Sequence, residues 1–178
     1  DTRIVRFESP TEDVPHVPSP ALKSPPVPFN TIQGVDRSSV VHMQVGTDSL
    51  YRTRWTVIDG NCMFKAFTTA LDNGKRSHEK VRADAVQWME EMEQDFSDFV
   101  PQDYDNYLVD MSTLGTWGDN LTLQALGMFY SVLICVLKED NGEYMWTQWG
   151  QVDSPSAVIW LYLSDNHYEN LLVESQLA

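Results

Sequence analysis

The spacing of apolar residues changes once along this chain, and that change limits the fold it can adopt. Met63, Phe64, Ala66, Phe67, Ala70 and Leu71 return at helical spacing, and Asp72-Asn73-Gly74 supplies a stop. Ser77 is a candidate N-cap for a second helix, with a buried stripe of Val81, Ala85, Trp88, Met89, Met92 and Phe96. Pro101 suits the first turn of a third helix carrying Tyr104, Tyr107, Leu108 and Met111, and Asp119 can cap a fourth carrying Leu123, Leu126, Phe129 and Tyr130. From Val132 the period shortens. Val132 to Leu137 is an unbroken apolar run, the pattern of a buried strand. Asn141-Gly142 is a hairpin signal, and residues 143–149 return as the partner strand. Residues 157–163 read as a further strand and 168–173 as a short last one. Helices followed by strands predict an α+β domain.

Ahead of this pattern the chain differs in kind. Seven of its nine prolines lie in residues 1–28, and Glu8 to Phe29 shows little apolar periodicity. Residues 1–50 are expected to form an extended Pro-rich arm and 51–178 the folded domain. Within the arm, residues 38–45 read as a short strand or a docked segment. The chain opens on Asp1 and not Met, as a piece of a longer protein would.

Charge and cysteine usage narrow the function. Net charge is −14, and residues 51–178 carry 20 acidic and 8 basic side chains, which gives −12. Such a surface repels nucleic acid and anionic lipid, so neither is expected as a partner; it suits a basic protein, or serves solubility alone. No stretch approaches the ~20 consecutive apolar residues of a membrane helix. Cys62 and Cys135 form no disulfide framework, which points to a reducing, intracellular and cytoplasmic setting. They also lack metal-ligand spacing, and His16, His42, His78 and His167 are scattered, so no metal or other cofactor is expected.

One constellation carries chemistry. Asp59-Gly60-Asn61-Cys62 immediately precedes the first helix. A thiol there meets the positive end of the helix dipole and free backbone N–H groups, both of which favour thiolate and lower its pKa. The same N–H groups offer a place for the oxyanion of a tetrahedral intermediate, and Gly60 allows a tight turn. The competing reading is a space-filling cysteine after an ordinary turn. His167 shifts the balance. It sits in the polar turn Ser164-Asp165-Asn166-His167 after an apolar strand, where it can face a helix start across a cleft. Cysteine early and histidine late is the order of a thiol protease. The expectation is a sulfur leaning to thiolate at the mouth of a cleft, with the imidazole opposite. His16, His42 and His78 read as solvated or structural. Cys135 reads as core, and Trp146, Trp149 and Trp160 as core or edge packing.

These residues resemble a family. Asp59-Gly60-Asn61-Cys62-Met63-Phe64-Lys65-Ala66 is similar to the segment around the nucleophile of ovarian-tumour (OTU) deubiquitinases. Trp117-Gly118-Asp119-Asn120, running into Leu123-Gln124-Ala125-Leu126, resembles the family's Trp-Gly segment and following helix, and Asn166-His167-Tyr168 its His-Tyr block. The three blocks come in the family's order over roughly residues 50–175.

The resemblance implies a papain-like cysteine protease fold of the OTU type, with helices packed on a small, mostly antiparallel sheet. It implies hydrolysis of isopeptide or peptide bonds at the C-terminus of ubiquitin, with ubiquitin or polyubiquitin, or ubiquitin-like modifiers, as partners. Cys62 would be nucleophile and His167 general base, with the backbone around Gly60 and Asn61 as the oxyanion loop. Family members often place Asn or Asp two residues after the histidine, where this sequence has Glu169. Glu169 is expected to orient His167 and Asp59 to shape the oxyanion loop, with Asn170 as the alternative orienter. Trp117 is expected to pack the loop behind the catalytic helix, with lining the channel for the substrate's Gly-Gly tail as the alternative. Two other functions stay open: a catalytically weak module that binds ubiquitin or another protein, and a cysteine protease that processes its own parent polypeptide.

Overall fold

The computed structural model describes residues 40–45, 48–53, 56–141, 143–151 and 153–173. The first 39 residues of the arm expected over residues 1–50, His16 among them, lie outside the described residues, as do the side chains of His42 and Trp146.

Five helices and six strands are seen among the described residues. In chain order they are β1 (Val40–Val45), β2 (Asp48–Thr53), α1 (Cys62–Asp72), α2 (His78–Glu91), α3 (Glu93–Phe96), α4 (Tyr104–Ser112), α5 (Asn120–Phe129), β3 (Leu133–Asp140), β4 (Glu143–Gly150), β5 (Val158–Ser164) and β6 (His167–Val173). The strands form one sheet in the order β1-β2-β6-β5-β3-β4. Every neighbouring pair is antiparallel except β3 and β5. The architecture is the expected α+β one, on a mostly antiparallel sheet. β1 and β2 belong to that sheet, which therefore continues across residue 50.

Strand alternation explains why the strand sequences are apolar at nearly every position. Ile134, Val136, Ile159, Leu161 and Tyr168 join the buried cluster made with the helices. Cys135, Leu137, Val158, Trp160, Tyr162 and Leu171 form a second buried cluster on the other face. Cys135 is core, as expected. α1 packs on β5 and β6, and α5 on β3 and β4, so the helices share one side of the sheet.

Local signals set most boundaries. α1 ends at Asn73, whose φ of 59° is left-handed, and the Gly74 N–H returns to the Thr68 carbonyl. Ser77 caps α2 by accepting from the Lys80 N–H. The hairpin between β5 and β6 turns on Asp165 and Asn166, with φ of 49° and 64°, the left-handed pair of a type I′ turn. That turn pairs Ser164 with His167 and so sets where His167 begins its strand.

Two expectations need correction. The second helix does not run through Phe96: it stops at Glu91, and Phe96 enters the core from the separate α3. Pro101 lies outside the next helix, because the Asp103 carboxylate accepts from the Asn106 N–H and starts α4 at Tyr104. The expected Asp119 cap is present as a reciprocal box with Thr122, and the carboxylate also accepts from the Tyr107 hydroxyl at 2.9 Å. One side chain thus starts α5 and anchors α4. Asp119→Ala is expected to lower unfolding stability by about 2 kcal/mol, combining a lost cap with an orphaned buried hydroxyl. Urea denaturation with an unchanged midpoint would contradict this account.

Candidate active site

Cys62 is the first residue of α1, and Asn61 stands at the N-cap. The backbone just before it folds into a tight turn in which the Cys62 N–H donates to the Asp59 carbonyl at 3.1 Å. The Asp59 carboxylate accepts from the Asn61 N–H at 2.8 Å and from Lys65 Nζ at 2.7 Å. Burial pushes this carboxyl up, but the Lys65 ammonium and the Asn61 amide together outweigh it and hold the group below its ordinary value. Asp59 therefore shapes the loop. In this state it also occupies the Asn61 and Cys62 N–H groups, through its carboxylate and its carbonyl.

β6 supplies the opposite wall. Its described pairing with β2 spans Leu171–Val173, and the earlier part of the strand meets α1. Asn170 Nδ2 donates to the Ala66 carbonyl of α1 at 2.7 Å, and the Tyr168 N–H reaches Cys62 Sγ at 3.5 Å. The Tyr168 nitrogen is bonded directly to the His167 carbonyl carbon, so His167 adjoins the sulfur's own contact. His167 and Glu169 share a strand face, and Nε2 lies 3.6 Å from Glu169 Oε1, an ion-pair distance longer than a hydrogen bond. Of the acids and amides near His167, Glu169 is beside the ring. Asp59 is held by Lys65 and Asn61, and Asn170 is turned to α1.

The thiol departs from expectation. Cys62 is only 1% exposed, and is neither at a cleft mouth nor leaning to thiolate. Burial pushes the thiol up; the amides of Tyr168 and Met63 pull it partway back, and the Asp59 charge adds to the upward push. Desolvation of a full charge is the largest of these effects and exceeds what the helix end and the two amides return. Tyr168, also buried, is pushed up by its own desolvation.

The sequence reading missed the residue that joins the loops. Arg82 of α2 is 1% exposed, and its guanidinium lies 4.0 Å from the centre of the Phe64 ring. It donates to the carbonyls of Gly60, Met111 and Thr116 at 3.1, 2.9 and 2.8 Å and to Asn61 Oδ1 at 2.9 Å. The one available signal was an arginine next to Val81 in an otherwise apolar helix stripe. Gly60 is required for space as well as for turning: a Cβ there would stand 1.5 Å from the Gly115 carbonyl oxygen. Trp117 corrects another expectation. It is 39% exposed, because Gly118, and not the indole, meets Met63 behind α1. Among the described residues no group of three or more His, Cys, Asp or Glu could hold a metal.

Comparison with known proteins gives the family and the fold. A profile of the OTU-like cysteine protease family matches residues 58–169. The OVARIAN TUMOR DOMAIN-containing deubiquitinating enzyme 12 of Arabidopsis thaliana is 32% identical over 114 residues, covering 64% of this chain and 52% of that protein. Enzyme 11 of the same name and organism is 29% identical over 121 residues, covering 67% and 49%. The chain thus spans about half the length of these curated relatives. The solved structure of an OTU domain in complex with ubiquitin superimposes with a TM-score of 0.62 at 17% identity, covering 79% of this chain and 80% of that one, a likeness of fold.

Because burial raises the Cys62 pKa, alkylation by a haloacetamide is expected to be slow at pH 7 and to climb by about tenfold per pH unit toward pH 9, as thiolate appears. Mass spectrometry of the wild type beside Cys62→Ala reads this rate, since burial pushes Cys135 up to about 12. A rate already level below pH 7 would show a thiolate that burial does not permit.

Proposed function

On the premise that this chain belongs to the OTU-like cysteine protease family, we propose that it is a deubiquitinase, hydrolysing the isopeptide or peptide bond at the C-terminus of ubiquitin. The observation that carries the proposal is the contact between Cys62 Sγ and the Tyr168 N–H at 3.5 Å. It joins the start of α1 to the strand end that bears His167.

In this reading His167 takes the Cys62 proton as the sulfur attacks the substrate carbonyl, then returns it to the departing lysine amine. In this reading Nε2 faces the Glu169 carboxylate, 3.6 Å away, and Nδ1 is the nitrogen that takes the thiol proton. Glu169 fixes the ring and favours the imidazolium without itself taking the proton. Proton transfer to His167 also creates an imidazolium, whose charge offsets the burial that otherwise disfavours thiolate. The Asn61 and Cys62 N–H groups, now donating to Asp59, are the donors for the oxyanion once a substrate carbonyl displaces those bonds. Water then cleaves the acyl-enzyme with His167 as base.

The catalytic unit is proposed to occupy residues 51–178, with residues 1–50 as the arm, whose β1 and the first half of β2 extend the sheet. Ubiquitin and its chains are the proposed partners, as in the ubiquitin complex of the structural neighbour. The negative surface suits their basic faces. A free thiol nucleophile suits the reducing cytoplasm. Among the described residues no helix is long and apolar enough to cross a membrane.

A second reading, a binding module without turnover, is favoured by the burial of Cys62 and by Glu169 at the orienting position. Ubiquitin carrying a thiol-reactive C-terminal warhead separates the two. Wild type is expected to form a covalent adduct and Cys62→Ala none; binding without adduct would favour the module. On a panel of differently linked diubiquitins, His167→Ala is expected to abolish turnover. Glu169→Ala is expected to cost about one to two powers of ten less than His167→Ala, because an orienter acts through the ring. A Glu169→Ala variant as active as wild type would remove Glu169 from the mechanism.

A further inference from the structure

Arg82 is a buried cation whose four oxygen acceptors are all neutral: the carbonyls of Gly60, Met111 and Thr116, and Asn61 Oδ1. A core position filled this way is costly, and an apolar residue of similar volume would often be more stabilising. What arginine supplies that leucine or methionine cannot is a planar fork reaching several oxygens in fixed directions. Here the fork joins the loop before Cys62, the end of α4 and the loop that carries Trp117.

Two of its bonds bear on the reaction. In a trans peptide the C=O and the following N–H point in opposite directions. By holding the Gly60 carbonyl inward, Arg82 turns the Asn61 N–H outward, to the side where Asp59 Oδ1 now takes it at 2.8 Å. Glycine offers little resistance to a peptide flip, and a flipped peptide would aim a carbonyl at the developing oxyanion. The second bond concerns the Asn61 side chain. An asparagine at an N-cap ordinarily accepts from the second or third helical N–H, here Met63 or Phe64. Asn61 makes no such cap. Its oxygen goes instead to Arg82 and to the Gly115 N–H at 2.8 Å. The Met63 amide is thereby left to Cys62, toward whose sulfur it donates.

We infer that Arg82 is a positioning residue for the hydrolysis proposed above: it sets the polarity of the Gly60–Asn61 peptide and draws Asn61 off the helix start, so that N–H groups and not oxygens face the reacting carbonyl. It touches no substrate and acts through Gly60 and Asn61. The inference rests on the deubiquitinase reading for its catalytic consequence, but the pinning itself does not.

The test therefore has two arms on Arg82→Lys, which keeps the charge and loses the fork. The first is turnover of ubiquitin bearing a fluorogenic C-terminal amide. The expected result is a kcat lower by about tenfold to a hundredfold with KM within about twofold, since the lost interaction acts in the transition state. The second arm is amide hydrogen exchange without substrate, where protection of the Gly115 and Asn61 N–H groups is expected to fall while that of α1 and α5 is retained. Asn61→Ala, which removes one anchor without touching Arg82, is expected to shift both readouts the same way by less. Unchanged loop protection in Arg82→Lys, or an unchanged kcat, overturns the inference. So does loss of protection throughout α1 and α5, which would make Arg82 a folding residue. If the wild type turns over no ubiquitin substrate while loop protection still falls in Arg82→Lys, the deubiquitinase reading fails and the pinning stands.

Discussion

The meeting of the first turn of α1 with the start of β6 is the junction on which the rest of the site depends. Two bonds define it, from Asn170 Nδ2 to the Ala66 carbonyl and from the Tyr168 N–H to Cys62 Sγ. The residues involved are 104 and 106 positions apart in the chain. Everything between them, four helices and three strands, serves to close that loop against its entropy. The alternation of β6 then does the sorting. Tyr168 and Asn170 face α1, while His167 and Glu169 fall together on the other parity. The type I′ turn at Asp165-Asn166 sets the register, and a slip of one residue would exchange the two faces.

A site this well buried opposes its own chemistry. Cys62 and Arg82 are each 1% exposed, and burial shifts both against their charged forms. The offsets come from oriented dipoles: amides aimed at the sulfur, carbonyls and the Phe64 ring aimed at the guanidinium. Oriented dipoles suit a reaction that develops charge briefly, because they need not reorganise when it appears. A thiol kept neutral by burial is also guarded against adventitious oxidation, which follows thiolate character and exposure.

Much of this was legible in the linear text, and for definable reasons. The stop at Asn73-Gly74, the caps at Ser77 and Asp119 and the Asn141 hairpin signal are local chemistry, decided by a few neighbouring residues. Cys62 was readable as the start of a helix because the turn before it and the periodicity after it lie within a dozen residues. The errors have a shared cause. Pro101 carries a real helix-start preference, but Asp103 nearby makes the better cap. Trp117 looked like packing because tryptophan usually packs, whereas Gly118 leaves the space that Met63 fills. Beyond its place next to Val81, nothing in the sequence marked Arg82, since its acceptors come from positions 60, 61, 111 and 116, and only the fold brings them together.

By itself the amino-acid order determined the kinds of element, their succession, and which cysteine opens the first helix and which histidine opens the last strand. Those properties depend on side-chain type and on spacing over a turn or two. Tertiary structure alone decided how buried the sulfur is, which acid stands beside the imidazole, and what holds the loop between them. Desolvation and through-space charge depend on atoms that are distant in the chain and adjacent only after folding, so no local pattern of residues encodes them.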